Sequence, residues 1–338
     1  MAVPLHAPQP ARIRIGAGEY ECEPGESVLQ ALLRHGVAVP YSCKKGACLT
    51  CLMRCTEGDP GETARAGLKD TLRAQGYFLA CQSRPAGDLD LAPAANADLF
   101  ISAEVAGTAE LCAGVRQLLL QPLTPFDYRP GQFVNLRGAG GIVRSYSLAS
   151  HPGDGDKLEL HVRRHKNGAM SDWIFESLRP GQQVEIQGPN GSCFYLPQDR
   201  AQPLLLIGTG TGLAPLLGII RDALSHGHTG PIRLYHGSRS AAGLYMSDTL
   251  AALSVRAPDF ASVRSVSGKE VRDGLRAGRA DDLAFEDIPT LAGWRVFLCG
   301  NPPMVASAKK RAYLAGAKLE DIHADPFELR ELRARPRI

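Results

Sequence analysis

The 338-residue sequence lacks the features that mark several classes of protein. Its formal net charge is only +3, and no basic run is interleaved with aromatic residues, so nothing in it indicates nucleic-acid binding. The first ten residues have no basic start followed by an apolar core, so we expect no signal peptide. The nine cysteines are odd in number and five of them show no framework spacing, which favours a reducing cytoplasm over a secreted scaffold.

A long uninterrupted apolar stretch is also missing. The most apolar run, residues 203–220, contains five consecutive glycine and threonine residues, and we interpret it as a buried strand, a loop and a helix. The remaining composition, with 44% hydrophobic and 22% charged residues, is that of an ordinary globular protein. A chain of this length is expected to fold as about two or three domains.

The four other cysteines stand at the spacing typical of plant-type 2Fe-2S ferredoxins. Cys43, Cys48 and Cys51 form a C-x4-C-x2-C motif in a glycine-containing loop, and Cys81 follows after 29 intervening residues. Each iron of such a cluster needs tetrahedral sulfur ligation, so the spacing predicts these four thiolates as the ligands. A zinc site and a disulfide framework are the alternatives, although zinc sites favour paired C-x2-C motifs. This first domain is predicted to span residues 1–97.

Residues 98–199 contain short strand-like runs that are separated by turn signals, which predicts a small antiparallel barrel. Within them, Arg144 offers a planar guanidinium that suits phosphate oxygens, Tyr146 a flat face for an aromatic ring system, and Ser147 a hydroxyl. Gly168–Ser171 precedes an amphipathic run. We therefore predict a helix N-terminus there, directed at a pyrophosphate.

Residues 200–338 alternate strands and helices, which predicts a parallel sheet whose ligands bind at the carboxyl ends of its strands. An apolar strand runs directly into Gly208–Pro215, a glycine turn of the kind that meets a dinucleotide phosphate. Leu213 departs from the G-x-G-x-x-G fingerprint, so this motif is only partly met. A second strand ends near Arg239, which could face a 2′-phosphate, and a third ends at Cys299.

Taken together, these segments resemble the ferredoxin–NAD(P) reductase superfamily, and more closely the fused reductase components of multicomponent oxygenases that carry an N-terminal plant-type ferredoxin. The motifs R-x-Y-S, G-T-G-T-G-x-A-P and C-G-x-P-x-M occur in the family's order over essentially the whole chain. The resemblance implies a multi-domain fold with an α+β β-grasp-like ferredoxin domain, an antiparallel β-barrel flavin domain and an α/β parallel-sheet nucleotide domain. It also implies a 2Fe-2S cluster, FAD and NADH or NADPH as cofactors.

The resemblance further implies roles for individual residues. Arg144 corresponds to the flavin-phosphate arginine, Tyr146 to the residue that packs on the isoalloxazine, and Ser147 to the hydroxyl near flavin N5. The other implied flavin contacts are His161, Val162, Arg163, Gly168, Met170, Ser171 and Phe327. The implied nucleotide contacts are Gly208, Thr209, Gly210, Thr211, Gly212, Pro215, Arg239, Cys299, Gly300, Pro302 and Met304. Ser147, Cys299 and Asp325 are the implied catalytic residues, with Asp325 in the place of the family's more usual glutamate.

The implied activity is electron transfer from NAD(P)H through FAD and the cluster to a separate protein. A hydride would pass to FAD, and a cluster with a potential near roughly −400 mV would take single electrons onward. We expect the partner to be a Rieske or di-iron oxygenase; a non-oxygenase partner such as a deoxysugar dehydrase is the alternative. A cluster-bearing sensor without activity is a third hypothesis, which the intact motifs disfavour. The resemblance slightly favours NADH as the electron donor, whereas Arg239 favours NADPH. We expect a cytoplasmic monomer.

Overall fold

The computed structural model describes residues 10–68, 70–92, 99–269 and 272–327, and these residues form two compact units. The first unit contains the described residues up to Phe100 together with Gly140–Ser145, and the second contains Ile101–Ala139 and the described residues from Tyr146 onward. The predicted boundary at residues 97 and 98, the first nine residues and the arginines of the C-terminal tail lie outside the described residues. None of the helices in the described part of the chain is long and apolar enough to cross a membrane.

The first unit is a five-stranded sheet with one main helix. Its elements are β1 (Ala11–Ile15), β2 (Gly18–Cys22), α1 (Val28–Arg34), β3 (Leu52–Glu57), α2 (Glu62–Arg65), α3 (Asp70–Ala74), β4 (Tyr77–Leu79) and β5 (Leu89–Leu91). The strand order is β2-β1-β5-β3-β4, in which the pair β1–β5 is parallel and the pairs β1–β2 and β3–β5 are antiparallel.

Helix α1 covers one face of this sheet because its apolar residues recur at helical spacing. Val28, Leu29 and Leu32 are buried in the core of the unit with Ile13 of β1. Ser27 and Gln30 form a reciprocal capping box that satisfies backbone groups at the start of the helix. In the sequence, residues 12–15 alternate at period two before a glycine-containing turn, and Val28, Ala31 and Leu32 recur at helical spacing after Ser27, which predicts a hairpin and a helix. The structure has both, as the pair β1–β2 and as α1.

The second unit begins with a six-stranded antiparallel barrel. Its elements are β6 (Ile101–Cys112), β7 (Val115–Pro122), β8 (Phe133–Arg137), β9 (Val143–Ser147), β10 (Leu158–Arg163), α4 (Ala169–Glu176) and β11 (Gln183–Asn190). The strand order is β10-β7-β6-β11-β8-β9, and a bridge between Leu148 and Leu160 joins the two outer strands. The bridge closes the sheet into the predicted barrel.

The nucleotide-domain part of the unit is a six-stranded parallel sheet flanked by helices. Its elements are β12 (Leu204–Thr209), α5 (Leu213–Ser225), β13 (Ile232–Ser238), α6 (Ser247–Arg256), β14 (Phe260–Val266), β15 (Arg276–Ala277), α7 (Ala280–Asp287), β16 (Arg295–Gly300), α8 (Pro302–Leu314) and β17 (Ile322–Pro326). The strand order is β15-β14-β13-β12-β16-β17. The chain reverses its direction of progress across the sheet between β12 and β16, which is where ligands bind in folds of this kind.

The barrel and the parallel sheet share a hydrophobic core. Val115 and Tyr195 from the barrel region belong to the same buried cluster as Leu216 and Leu217 of α5. Helix α5 lies so close to the barrel that a Cβ on Gly218 would stand 2.9 Å from the carbonyl oxygen of Leu148. Glycine at this position therefore permits the close approach of helix and barrel.

Candidate cofactor sites

The predicted cluster ligands lie on the loop between α1 and β3 and directly after β4. All four thiols are buried and none forms a disulfide. They contact one another as two pairs, Cys43 with Cys48 and Cys51 with Cys81. Backbone N–H groups surround the first pair: that of Cys43 donates to Cys48 Sγ over 3.3 Å, and that of Cys48 donates to Cys43 Sγ over 3.4 Å.

One sulfur of each pair sits where negative charge is stabilised. A hydrogen bond from the Cys48 thiol, joined by backbone N–H groups that include that of Lys45, lowers the pKa of Cys43 to about 5. A hydrogen bond from the Cys51 thiol, joined by the Gln82 side chain, lowers the pKa of Cys81 to about 6. The pKa values of the two donor thiols are raised in return. In each pair the pocket thus favours one thiolate, the form that binds iron.

The pairing of the thiols distinguishes between the possible metals. Among the described residues, no group of three or more histidine, cysteine or acidic side chains converges where a single ion could be held. Two separate cysteine pairs instead suit a binuclear cluster, in which each iron takes two thiolates and shares two sulfides. The donor set therefore fits a 2Fe-2S cluster.

Strand β9 carries the residues of the predicted flavin motif. Arg144 and Tyr146 are half-buried and share one face of the strand, since they are two residues apart. Ser147 is buried, and its hydroxyl donates to Asp325 Oδ2 over 3.0 Å. The structure therefore brings together two of the three predicted catalytic side chains, which are 178 residues apart in the sequence.

Asp325 reaches this position because β17 adds a sixth strand to the parallel sheet. It stands opposite Cys299 in the pairing of β16 with β17, so the third predicted catalytic residue lies on the neighbouring strand. Burial raises the pKa of the Asp325 carboxyl to about 6, against the smaller opposing effect of the Ser147 hydrogen bond. A carboxyl that titrates near neutral pH can hold or release a proton under physiological conditions.

The second predicted flavin segment forms the start of α4, as expected. Gly168 is the N-cap residue and offers no side-chain cap, so the first-turn N–H groups are left for another acceptor. A Cβ on Gly168 would stand 2.5 Å from Ser171 Oγ, and one on Gly138 would stand 2.8 Å from Met170 Sδ. The tight packing places an uncapped helix N-terminus at the loop before β9, which fits a cofactor phosphate.

The His161–Arg163 segment does not act as one surface. His161 and Val162 are buried within the unit, and both ring nitrogens of His161 have protein partners, Tyr245 and Glu159. The Arg163 guanidinium instead lies at the glycine turn, where its Nη2 would stand 3.2 Å from a Cβ on Gly210. The structure thus places the cation of this segment beside the nucleotide motif.

The two predicted nucleotide segments meet at the carboxyl ends of β12 and β16. Gly208 pairs with Cys299 across these parallel strands. A Cβ on Gly212 would stand 2.3 Å from the Cys299 carbonyl oxygen, and one on Gly300 would stand 2.6 Å from the Thr209 carbonyl oxygen. The backbones therefore approach as closely as a cradle for a pyrophosphate requires, and the position is the switch point of the sheet.

The side chains around this cradle differ in exposure. The Cys299 thiol is fully buried, lies 3.8 Å from Cys193 Sγ, and has a pKa raised well above its usual range by that burial. Met304 and Pro215 are buried, while Arg239 is exposed just beyond β13. The remaining predicted contacts lie at element ends: Thr211 in the turn before α5, Pro302 at the first position of α8 and Phe327 just after β17.

Three domain families match this chain in the order that the structure shows. A 2Fe-2S iron-sulfur cluster binding domain matches residues 14–86, an oxidoreductase FAD-binding domain matches residues 103–195, and an oxidoreductase NAD-binding domain matches residues 206–310. The predicted cofactors, namely the 2Fe-2S cluster, FAD and a pyridine nucleotide, are thereby confirmed.

Full-length relatives carry the same arrangement. The aromatic O-demethylase reductase subunit of an Amycolatopsis species is 38% identical, with 93% of this chain and 98% of that protein covered. The ferredoxin–NAD(P)+ reductase component of the naphthalene 1,2-dioxygenase system of Pseudomonas putida is 35% identical, with 90% and 94% covered. The crystal structure of an Amycolatopsis cytochrome P450 reductase superposes with a TM-score of 0.69 at 36% identity, with 94% of this chain and 98% of that one covered.

These likenesses extend over nearly the whole of both chains, and they confirm the predicted three-part fold and the NAD(P)H oxidoreductase activity. The chain belongs to the ferredoxin–NAD(P) reductase superfamily, within the family of oxygenase reductase components that carry an N-terminal plant-type 2Fe-2S ferredoxin domain.

Proposed function

We propose that this chain supplies a separate oxygenase with electrons taken from NAD(P)H. The observation that carries the proposal is the presence of a thiol-pair site, a flavin barrel and a nucleotide cradle on one polypeptide. When bound, FAD accepts two electrons as a hydride and releases them singly, and the 2Fe-2S cluster passes on one electron at a time. The protein supplies binding, alignment and proton control.

Each motif has a role in this proposal. Arg144 and the start of α4 hold the FAD phosphates, since a guanidinium and free backbone N–H groups both bind phosphate oxygens. Tyr146 packs on the flavin ring. The glycine turn Gly208–Gly212 and the segment Cys299–Met304 hold the nicotinamide nucleotide, with Arg163 as a cation beside its pyrophosphate. Cys43, Cys48, Cys51 and Cys81 hold the cluster.

Ser147 and Asp325 control a proton near the flavin. The Asp325 carboxyl keeps its proton below a pH of about 6, and the Ser147 hydroxyl donates to its Oδ2 atom over 3.0 Å. The pair therefore holds a hydroxyl in a fixed orientation, and the Asp325 carboxyl would hold an exchangeable proton for the flavin site. The buried Cys299 side chain contributes shape to the nicotinamide pocket rather than a nucleophile, because its thiol is held protonated.

The acceptor is an oxygenase, either Rieske or di-iron as the sequence predicts, or a cytochrome P450. We add cytochrome P450 to the oxygenase classes because the similar proteins include an aromatic O-demethylase reductase and a cytochrome P450 reductase. We also propose that the chain works as a cytoplasmic monomer. All nine cysteines are free in the structure, which suits a reducing compartment.

The experiment is reconstitution of the purified holoenzyme with the oxygenase encoded beside it. NADH or NADPH should drive substrate oxidation only when both proteins are present, and the steady-state rates with the two nucleotides identify the preferred donor. Reduction of cytochrome c by the reductase alone should require the iron–sulfur cluster.

Two results would contradict the proposal. A holoenzyme that reduces neither flavin nor cytochrome c with either nucleotide would be an inactive sensor. A holoenzyme that reduces cytochrome c but delivers electrons only to a non-oxygenase acceptor, such as a deoxysugar dehydrase, would support the electron path. It would refute the proposal that the partner is an oxygenase.

A further inference from the structure

A chain of buried polar side chains connects the flavin barrel with the glycine turn of the nucleotide domain. It runs from Glu159 and His161 on β10, through Tyr245 before α6, to His236 on β13 and the carbonyl group of Gly210. The four side chains are each less than 8% exposed, so the chain is shielded from water along its whole length. No local pattern in the sequence predicts it, because its side chains are scattered over two strands and a loop.

The barrel end of this chain is fixed by an ionised carboxylate. Glu159 accepts hydrogen bonds from Gln117 over 2.6 Å, from Arg221 over 2.9 Å and from His161 Nε2 over 2.9 Å. Burial alone would raise the pKa of Glu159, but these partners lower it to about 2. Because Glu159 accepts at every physiological pH, His161 carries a hydrogen on Nε2, and the orientation of the ring is fixed.

Tyr245 connects the two domains. Its hydroxyl forms a hydrogen bond of 3.0 Å with His161 Nδ1, and its ring stands edge-on to His161 at 5.3 Å and to His236 at 5.6 Å. Tyr245 therefore touches the barrel through its hydroxyl and the parallel sheet through its ring. Such aromatic contacts act at defined angles, so the three rings hold one another in orientation.

The other end of the chain holds the glycine turn. The ring nitrogen Nε2 of His236 donates to the Gly210 carbonyl oxygen over 2.9 Å. Burial lowers the pKa of His236 to about 4, so the ring is neutral at physiological pH, and no partner for Nδ1 exists among the described residues. Gly210 has φ +56°, a conformation that glycine adopts without strain, so the hydrogen bond fixes a turn that the sequence leaves free to move.

We propose that His161, Tyr245 and His236 are positioning residues that hold the glycine turn in register with the flavin barrel for hydride transfer. The inference rests on the proposed function, in which this turn binds the pyrophosphate of NAD(P)H. Hydride transfer needs the nicotinamide and the flavin at a near-attack separation, and a small displacement of the nucleotide slows it. The three residues act through Gly210 rather than on the reacting atoms.

The test compares Tyr245→Phe with a matched control, Tyr195→Phe. Tyr195 is as buried as Tyr245, its hydroxyl lies 3.0 Å from a histidine nitrogen (Nδ1 of His228), and its ring stands edge-on to that histidine. Each variant loses one buried tyrosine–histidine hydrogen bond, but only Tyr245 also packs its ring on His236, the residue that binds the glycine turn. The measurements on holoenzyme are NAD+ and NADP+ affinity by calorimetry, flavin reduction by stopped flow, and melting temperature.

Tyr245→Phe should weaken binding of the preferred nucleotide and slow flavin reduction, each by about twofold to tenfold. That range corresponds to the net free energy of one hydrogen bond. Tyr195→Phe should leave the nucleotide affinity and the rate of flavin reduction at the wild-type values. It should lower the melting temperature about as much as Tyr245→Phe does. Equal effects of the two variants, or none from Tyr245→Phe, would overturn the inference.

A second variant covers the case in which Tyr245→Phe does not fold. His236→Phe keeps a ring against Tyr245 and removes the hydrogen bond to Gly210, so it should weaken nucleotide binding over the same range. Unchanged binding would contradict the positioning role. Failure of wild-type holoenzyme to reduce its flavin with either nucleotide would instead refute the proposed function, so the two failures are distinguishable.

Discussion

At the scale of single residues, the two cysteine pairs determine which thiols are replaceable. Cys48→Ser removes one of the two thiolates of its pair, so the protein should lose most of its iron and labile sulfide. Cytochrome c reduction should fall by more than about tenfold, whereas flavin-dependent ferricyanide reduction should persist, because the flavin barrel is a separate fold. Iron analysis, visible absorbance and the two activity assays check this prediction.

Cys55→Ser is the matched control. Cys55 lies on β3, and its thiol donates to the carbonyl oxygen of Glu57 over 3.1 Å rather than to one of the four paired sulfurs. This variant should keep wild-type iron content. Equal iron loss in both variants would contradict the assignment of the ligands.

Asp325 should make stability depend on pH. Its pKa is about 6 in the folded protein and 3.8 ordinarily, so its favourable contribution is complete below pH 3.8 and is lost as the pH rises through about 6. Above that pH the buried charge costs up to about 3 kcal/mol. Asp325→Asn should therefore melt close to wild type at about pH 5 and at a higher temperature at about pH 8.

Melting curves over this pH range check the prediction, with Ser147→Ala as the comparison. Ser147→Ala keeps the Asp325 carboxyl and loses the hydrogen bond that lowers the pKa of that carboxyl. The melting temperature of this variant should therefore depend more strongly on pH than that of wild type. An Asp325→Asn protein whose melting temperature runs parallel to that of wild type at every pH would refute the buried titration.

At the scale of elements, the glycine turn after β12 has no space for a side chain. A Cβ on Gly212 would stand 2.3 Å from the Cys299 carbonyl oxygen, so Gly212→Ala must separate the ends of β12 and β16. We expect nucleotide affinity to fall by more than about tenfold, since overpacking costs typically about 1–3 kcal/mol, while iron and flavin contents stay at wild-type levels. Calorimetry with NAD+ and NADP+ measures the loss.

Gly87→Ala provides the control, because a Cβ at that position meets nothing within 4 Å and the backbone is unstrained. Its nucleotide affinity should equal that of wild type. Tight nucleotide binding by Gly212→Ala would show that the strand ends tolerate separation and that the cradle lies elsewhere.

The sequence predicts elements well where local patterning is strong and poorly where tertiary contacts decide. The run 204–207 and the glycine turn after it are unmistakable, and the structure has β12, the turn and α5 there. By contrast, β17 was not predicted, because His323 and Asp325 interrupt its apolar pattern and the strand is held by pairing with β16. The proximity of Ser147 to Asp325 follows from that pairing, which local propensity does not encode.

The site shows the same division. The cysteine spacing predicts all four members of the two thiol pairs, because three stand in the contiguous C-x4-C-x2-C loop and the fourth follows at the distance typical of plant-type ferredoxins. The placement of Arg163 beside Gly210, and the buried partners of His161, depend on how α5 and β13 pack on the barrel. The family resemblance implies flavin contacts for both residues, and that role stays a prediction; their positions depend on tertiary packing that the sequence pattern does not encode.

At the scale of the whole molecule, the shared core of barrel and parallel sheet should make them unfold together. Trp173 lies on α4 and Trp294 directly before β16, and they are the two tryptophans of the chain, so each reports on one half of the second unit. Trp173→Phe and Trp294→Phe variants should show fluorescence midpoints in urea that agree within about 0.2 M, and flavin release should coincide with both.

Separate midpoints for the two tryptophans would contradict this coupling. Gly218→Leu tests whether the close packing of α5 on the barrel causes the coupling. A side chain at that position meets the Leu148 carbonyl group and forces α5 away from the barrel. In that variant the two transitions should separate, with flavin released at the lower midpoint.

The interlocked backbones of Gly212, Cys299 and Gly300 have a consequence for engineering the coenzyme preference. Their close approach leaves no freedom to reshape the diphosphate end of the pocket, so any redesign between the phosphorylated and unphosphorylated coenzyme has to work at the other end. We predict Arg239, the exposed residue that follows β13 and is proposed to face a 2′-phosphate, as the position to vary. Its side chain stands outside the packed interior, so it can be exchanged without disturbing the strands of the sheet.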